Sequence, residues 1–92
     1  GKFGELEIPA IFAPNPVVDD FAKLYYKLDE PANVSIQIFN SFGQLQYATN
    51  KSNVTAGEHV EELAFGKMAP GFYICILNAD DKAYKSFKII VK

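Results

Sequence analysis

Apolar and polar residues alternate along much of the chain. Residues 21–28 carry an apolar side chain at every second position, and Val34, Ile36 and Ile38 repeat the pattern with polar residues between them. This repeat is typical of a β-strand that buries one face. Similar runs follow between clusters of turn residues, at a spacing typical of a sandwich or barrel. No segment shows a sustained helical pattern.

These runs predict about seven strands, because each is bounded by residues that end strands, such as Pro, Gly, Asn and Asp. The fourth is predicted to be a sheet edge, and residues 50–57 a polar loop. Each sheet would have one apolar face to hide, so the expected fold is all-β, an immunoglobulin-like antiparallel sandwich. The predicted strands are residues 5–13, 21–28, 34–39, 44–49, 58–65, 72–78 and 82–92.

The 92 residues form one predicted domain. Residues 14–92 make up the domain proper, and residues 1–13 a linker with the first strand. The sequence leaves open whether the Asn15-Pro16 peptide bond is cis or trans. Because no signal peptide is visible, we interpret the chain as a piece of a longer protein whose export signal, if it has one, lies upstream.

The sixth predicted strand departs from the alternation, since it is apolar on both faces. An antiparallel sandwich strand usually has one wet face. Long neighbouring side chains could cover the outer face of a central strand. Alternatively, Phe72, Ile74 and Ile76 form an exposed apolar strip that docks a partner, a second copy or the preceding domain.

Charge excludes some classes of partner. Nine basic residues against eleven acidic ones give a net charge of -2, which supplies no basic face for nucleic acid and no polybasic patch for membranes. No apolar run approaches the roughly 20 residues that span a bilayer. The single cysteine, Cys75, forms no internal disulfide and is predicted to be a small buried side chain.

Candidate catalytic groups are sparse. The single histidine, His59, has no second His or Cys at metal-ligand spacing. Acidic pairs such as Asp80-Asp81 fall mostly in predicted turns, where Asp caps backbone donors. No serine stands in a nucleophile elbow. We therefore predict no enzymatic activity, no cofactor and no metal.

Several short motifs, taken in order, resemble the C-terminal sorting domains of the type IX secretion system (the Por system, type A) of Bacteroidetes. Each is weak alone, but they keep their order and spacing over residues 14–92. They are Pro14-Asn15-Pro16, Leu24 to Leu28, Asn33 to Gly43, Ala56 to His59, Met68 to Tyr73 and Lys88 to Lys92.

The resemblance implies that the domain is a non-catalytic address label. Such domains direct a parent cargo from the periplasm through an outer-membrane translocon, and a sortase-like peptidase then removes them, leaving the cargo on the surface or secreted. It places cleavage within residues 1–13 and recognition in the last two strands. The residues implied are Gly71, Tyr73, Lys88, Ile89, Ile90, Val91 and Lys92.

Three positions depart from the family pattern. Asp81 stands where a glycine is common, which puts the geometry of the last tight turn in question. Phe87 replaces a residue that is commonly polar. Glu61 occupies an inward position expected to be apolar, which predicts an edge or a bulge in that strand.

A partner could recognise the terminal hairpin through the backbone edge of its last strand. An open edge with apolar side chains can accept a partner strand by β-augmentation, so we expect deletion of Lys88 to Lys92 to abolish export. The alternatives are a structural cap that uses the apolar strip, or an adhesive or carbohydrate-binding module, of a secreted enzyme. Carbohydrate binding is the more specific of the last two. It would need exposed aromatics on one face, with Tyr25, Tyr47 and Tyr84 as candidates.

Overall fold

The computed structural model describes residues 9–81 and 83–92, without the side chains of residues 83 and 84. Over these residues the chain forms seven strands and no helix, which confirms the predicted all-β class. The part of the first predicted strand at residues 5–8 lies outside the described residues, as does Lys82. The strands are β1 Ala10–Ala13, β2 Phe21–Leu28, β3 Ala32–Asn40, β4 Leu45–Val54, β5 Gly57–Ala64, β6 Gly71–Ala79 and β7 Ala83–Val91.

The strands form two antiparallel sheets that pack as a sandwich. One has three strands in the order β1-β2-β5, and the other has four in the order β4-β3-β6-β7. The predicted edge position of β4 is therefore confirmed. β6 lies between β3 and β7, so its backbone is paired on both sides.

The alternating positions meet between the sheets as a continuous apolar core. Leu24 of β2, Ile38 of β3 and Leu77 of β6 are fully buried, and burial of such a side chain contributes about 1.5–3 kcal/mol. Phe12 packs edge-on against Phe65, with ring centroids 5.8 Å apart. This core explains why the period-two pattern was a reliable guide to strand orientation.

Strand β4 is longer than predicted, because the sequence reasoning assigned residues 50–57 to a loop. In the structure Lys51 pairs with Val34 and Val54 with Ala32, and a register shift separates the two pairs. Asn53 takes a φ of 55° at this irregularity, where its backbone N–H donates to the Asn33 side-chain oxygen at 3.0 Å. An edge strand can carry polar residues on both faces, so composition misled the prediction.

The last tight turn forms without the expected glycine. Asp80 and Asp81 adopt φ values of 54° and 67°, a left-handed region that Asp tolerates better than most residues. The Asp80 carboxylate also accepts the Asn33 backbone N–H at 2.7 Å. This contact ties the β6–β7 turn to the start of β3.

Glu61 lies on an edge strand, as its polar character predicted. It faces inward on β5, where its carboxylate pairs with the Lys51 ammonium of β4 at 2.7 Å. The two strands belong to different sheets, so the ion pair closes one open side of the sandwich. The same carboxylate raises the pKa of Lys51 through a hydrogen bond and its charge.

Candidate recognition surface at the terminal hairpin

The last two strands form a regular antiparallel hairpin. Their register runs from Gly71 opposite Val91 to Ala79 opposite Ala83. Gly71 opens the hairpin with a φ of 151°, a conformation that strains any residue with a side chain. The Tyr73 hydroxyl donates to the Ala69 carbonyl, which anchors the connection that leads into β6.

The hairpin divides the residues implied by the resemblance between two faces. Tyr73, Ile89 and Val91 point into the core, with 5%, 0% and 7% of their surface exposed. These side chains hold the hairpin on the sandwich and are not available to a partner of the folded domain. Lys88, Ile90 and Lys92 are exposed, so they can be contacted directly.

The apolar strip of β6 lies on this same outer face. Phe72 and Ile74 are 54% and 40% exposed, whereas Ile76 is partly covered. The Lys88 ammonium lies over the Phe72 ring, 5.1 Å from its centroid, a distance at which a cation is attracted to an aromatic face. Neighbouring side chains therefore cover the outer face of this central strand only in part.

The outer edge of β7 is not open where β-augmentation was expected. The Asn15 amide donates to the Lys88 carbonyl at 2.8 Å, and the Ile90 N–H donates to the Asn15 side-chain oxygen at 3.1 Å. The Val17 N–H then donates to the Ile90 carbonyl at 2.7 Å, and the Val17 carbonyl accepts the Lys92 N–H at 3.0 Å. The expectation of a free edge over this part of β7 was wrong.

The segment that closes this edge contains two cis peptide bonds, Ala13-Pro14 and Asn15-Pro16. Pro lacks a backbone N–H, and the Asn15 side chain supplies both a donor and an acceptor to the ladder. We name the segment Pro14 to Val17 the edge strap. Its role was missed by sequence reasoning, which treated the prolines only as residues that stop a strand.

Replacing Asn15 by Ala is expected to loosen the edge strap. The variant loses two hydrogen bonds, each worth about 0.5–1.5 kcal/mol, so the free energy of unfolding should fall by about 1–3 kcal/mol. Amide hydrogen exchange gives the local measurement, and the Ile90 amide should lose protection. Asn50→Ala on exposed β4 is a matched control. Unchanged exchange at Ile90 would contradict this role for Asn15.

The described residues offer little catalytic geometry. Among them, no three His, Cys, Asp or Glu side chains converge to hold a metal. A His59 ring nitrogen lies 2.7 Å from the Thr55 carbonyl oxygen, and the ring stacks on Tyr26 with centroids 5.4 Å apart. These two contacts fix the position of the His59 ring within the fold.

Cys75 is fully buried on the inner face of β6, as predicted. Burial raises the pKa of its thiol to about 12, because the thiolate would lose its hydration in the core. The thiol is therefore neutral in the folded domain at physiological pH. Over the same described part of the chain, no helix is long and apolar enough to cross a membrane.

The aromatic residues proposed for carbohydrate binding do not form one surface. Tyr25 is exposed on the outer face of the three-stranded sheet, with 45% of its surface accessible. Tyr47 lies opposite the buried Ile38 on the inner side of β4 and packs against the core. The side chain of Tyr84 lies outside the described residues. Tyr25 and Tyr47 thus cannot act together as a sugar-stacking platform.

These features define a structural class of protein. The domain is a β-sandwich whose terminal hairpin offers an exposed face, while its adjacent edge is closed by the edge strap. The sequence model of a family described as "Secretion system C-terminal sorting domain" matches residues 11–92. The chain belongs to this family.

Membership of this family, found in Bacteroidetes, assigns the domain a sorting role in type IX secretion. It also implies an interaction with the secretion machinery and export across the outer membrane, to the cell surface or the medium. No curated protein matches the chain significantly.

Proposed function

We propose that this domain is a non-catalytic signal that directs its parent cargo from the periplasm through the type IX outer-membrane translocon. A sortase-like peptidase then removes it. The observation that carries the proposal is the family match, which extends over the whole sandwich and includes the terminal hairpin. The active feature of the signal is a folded surface, presented by the last two strands.

The two faces of the hairpin give its residues different roles in this proposal. Tyr73, Ile89 and Val91 fix the hairpin on the core, and Gly71 supplies the backbone conformation at its start. Lys88, Ile90 and Lys92 present side chains to the translocon. A deletion of residues 88–92 would remove members of both sets, so it cannot separate recognition from folding.

Removal of the signal is proposed to occur at the amino-terminal side of the sandwich. Asn15 and Val17 of the edge strap are hydrogen-bonded to β7, so the strap belongs to the folded domain. Because a peptidase needs an extended and accessible substrate, we propose that cleavage occurs before this strap, within residues 1–13. The cargo domain upstream would be released with part of that segment.

Fusion of a soluble periplasmic reporter to residues 1–92 tests the proposal. In a type IX-competent strain we expect the reporter on the cell surface or in the medium, freed of the domain. The matched control is the same fusion in a strain without the translocon, where the reporter should stay in the periplasm. Equal export of a reporter that lacks the domain would overturn the proposal.

A further inference from the structure

The outer face of the four-stranded sheet is apolar at one end and polar at the other. At the apolar end, Leu45, Phe39, Ile74 and Lys88 lie side by side on four successive strands. Phe72 and Ile90 form the next cross-strand pair. At the opposite end, the cross-strand neighbours are Asn50, Ser35 and Asn78. We call the first group of six residues the outer apolar face.

Four apolar side chains of this group are exposed to solvent. Leu45 is 52% exposed, Phe72 54%, Ile74 40% and Ile90 36%. They are contiguous, because each is the cross-strand or diagonal neighbour of another member. Contiguous exposed apolar side chains with a polar rim are typical of a surface that binds a partner.

Charge on this face has a single sign. Among the described strand residues that share it, Lys88 is charged and none is acidic. Its ammonium is held over the Phe72 ring, within the apolar group, and Lys92 follows at the end of the hairpin. A partner that covers this face would bury Lys88 without an opposite charge unless it supplied a carboxylate.

The outer face of the three-stranded sheet carries charges of both signs. On the three-stranded sheet, Ile11, Tyr25 and Val60 form an apolar row across the strands. Cross-strand pairs of opposite charge flank that row on both sides, since Lys23 lies opposite Glu62 and Lys27 opposite Glu58. Charges of both signs therefore alternate across this face, so it serves as a control surface.

The edge strap restricts the route by which a partner can reach the terminal strand. The outward backbone groups of Ile90 and the carbonyl of Lys88 are already hydrogen-bonded to Asn15 and Val17. A partner strand would have to displace the edge strap before it could pair there. The side chains on the outer face are accessible without any rearrangement.

We propose that the outer apolar face is the docking site for a protein surface that is apolar at its centre and carries carboxylates facing Lys88. This inference rests on the proposed function, because the partner is the secretion machinery that receives the domain. It assigns recognition to the face of the terminal hairpin and to side-chain contact, rather than to strand addition at its edge.

Export of reporter fusions in the type IX-competent strain tests the proposal. The test variants are Phe72→Thr, Ile74→Thr and Lys88→Glu, and the matched controls on the other sheet are Ile11→Thr, Val60→Thr and Lys23→Glu. Loss of a central interface contact should reduce the exported fraction about tenfold or more. The controls should export within about twofold of the parent fusion. Thermal unfolding of each purified domain checks its fold.

Two further measurements distinguish the loss of a recognition contact from the loss of the folded structure. Lys88→Arg should export normally, because it retains the positive charge that Lys88→Glu reverses. A photo-reactive phenylalanine analogue at position 72 should cross-link to a component of the secretion machinery, and the same analogue at position 60 should not. The cross-link is read in the parent fold, so it does not depend on an impaired variant.

The outcomes test the docking site and the sorting role separately. Normal export of all three test variants, with the parent fusion exported, would overturn the docking site and leave the sorting role intact. Failure of the parent fusion would overturn the sorting role itself. A defect seen with one cargo and absent with a second would show that the face docks the cargo, and would also overturn the inference.

Discussion

Replacing Ile89 by Ala is expected to lower the free energy of unfolding by about 3 kcal/mol. Ile89 is fully buried near the carboxyl end of β7. Its truncation removes buried methyl groups and leaves a cavity that the rigid sheets cannot collapse. Urea unfolding, followed by circular dichroism, measures the difference between variant and parent. For a domain of this size a loss of this magnitude removes a large part of the total stability.

Ile90→Ala is the matched control for this prediction. It changes the same residue type at the next position, but Ile90 is 36% exposed on the outer face, so its truncation should cost under about 1 kcal/mol. The pair therefore reports which face of β7 is packed. Equal losses for the two variants would show that the assigned alternation is wrong.

The domain is expected to lose stability at alkaline pH through Cys75. The folded domain raises the pKa of this thiol from 9.0 to about 12, so the neutral form is favoured in the folded state. The resulting stabilisation is complete below pH 9 and is lost as pH rises through the folded value. Between pH 9 and about pH 11 the thiol ionises in the unfolded chain and stays neutral in the folded domain, so the free energy of unfolding should fall by about 3 kcal/mol.

Urea unfolding at about pH 8 and pH 11 measures this dependence, with Cys75→Ala as the control. The variant lacks the thiol and should start from a lower stability because of the small cavity. Lys51 and Tyr26, whose pKa values are also raised in the folded domain, are present in both proteins, so their contributions cancel in the comparison. The same pH dependence in parent and variant would contradict the assignment to Cys75.

Strands were predicted correctly where the residue pattern is compatible with only one type of structure. The alternation in residues 21–28 and 34–39 predicted the strands and their buried faces, because a side chain on a strand can point to only one of two sides. The prediction failed at residues 50–54. An edge strand pays no penalty for polar residues on both faces, so its sequence is indistinguishable from that of a polar loop.

The candidate site was predicted in part. Phe72, Ile74 and Ile76 were singled out because a strand apolar on both faces is unusual, and the structure places them on the outer face, with Ile76 partly covered. Phe39 and Leu45 were not singled out from the sequence, because only the pairing of β3 with β4 and β6 brings them beside Ile74. The role of Asn15 also required the tertiary structure, because its partners lie more than 70 residues away in sequence.

The all-β class, the approximate strands and the resemblance to sorting domains could be predicted from the amino-acid sequence. These depend on local alternation, on turn residues and on ordered motifs, all of which are properties of short stretches of chain. The folded structure was needed to establish which edge is closed, which face of the terminal hairpin is exposed and where Lys88 lies. Those properties depend on contacts between distant segments, and no local pattern encodes the partner that a free N–H or an apolar side chain will find.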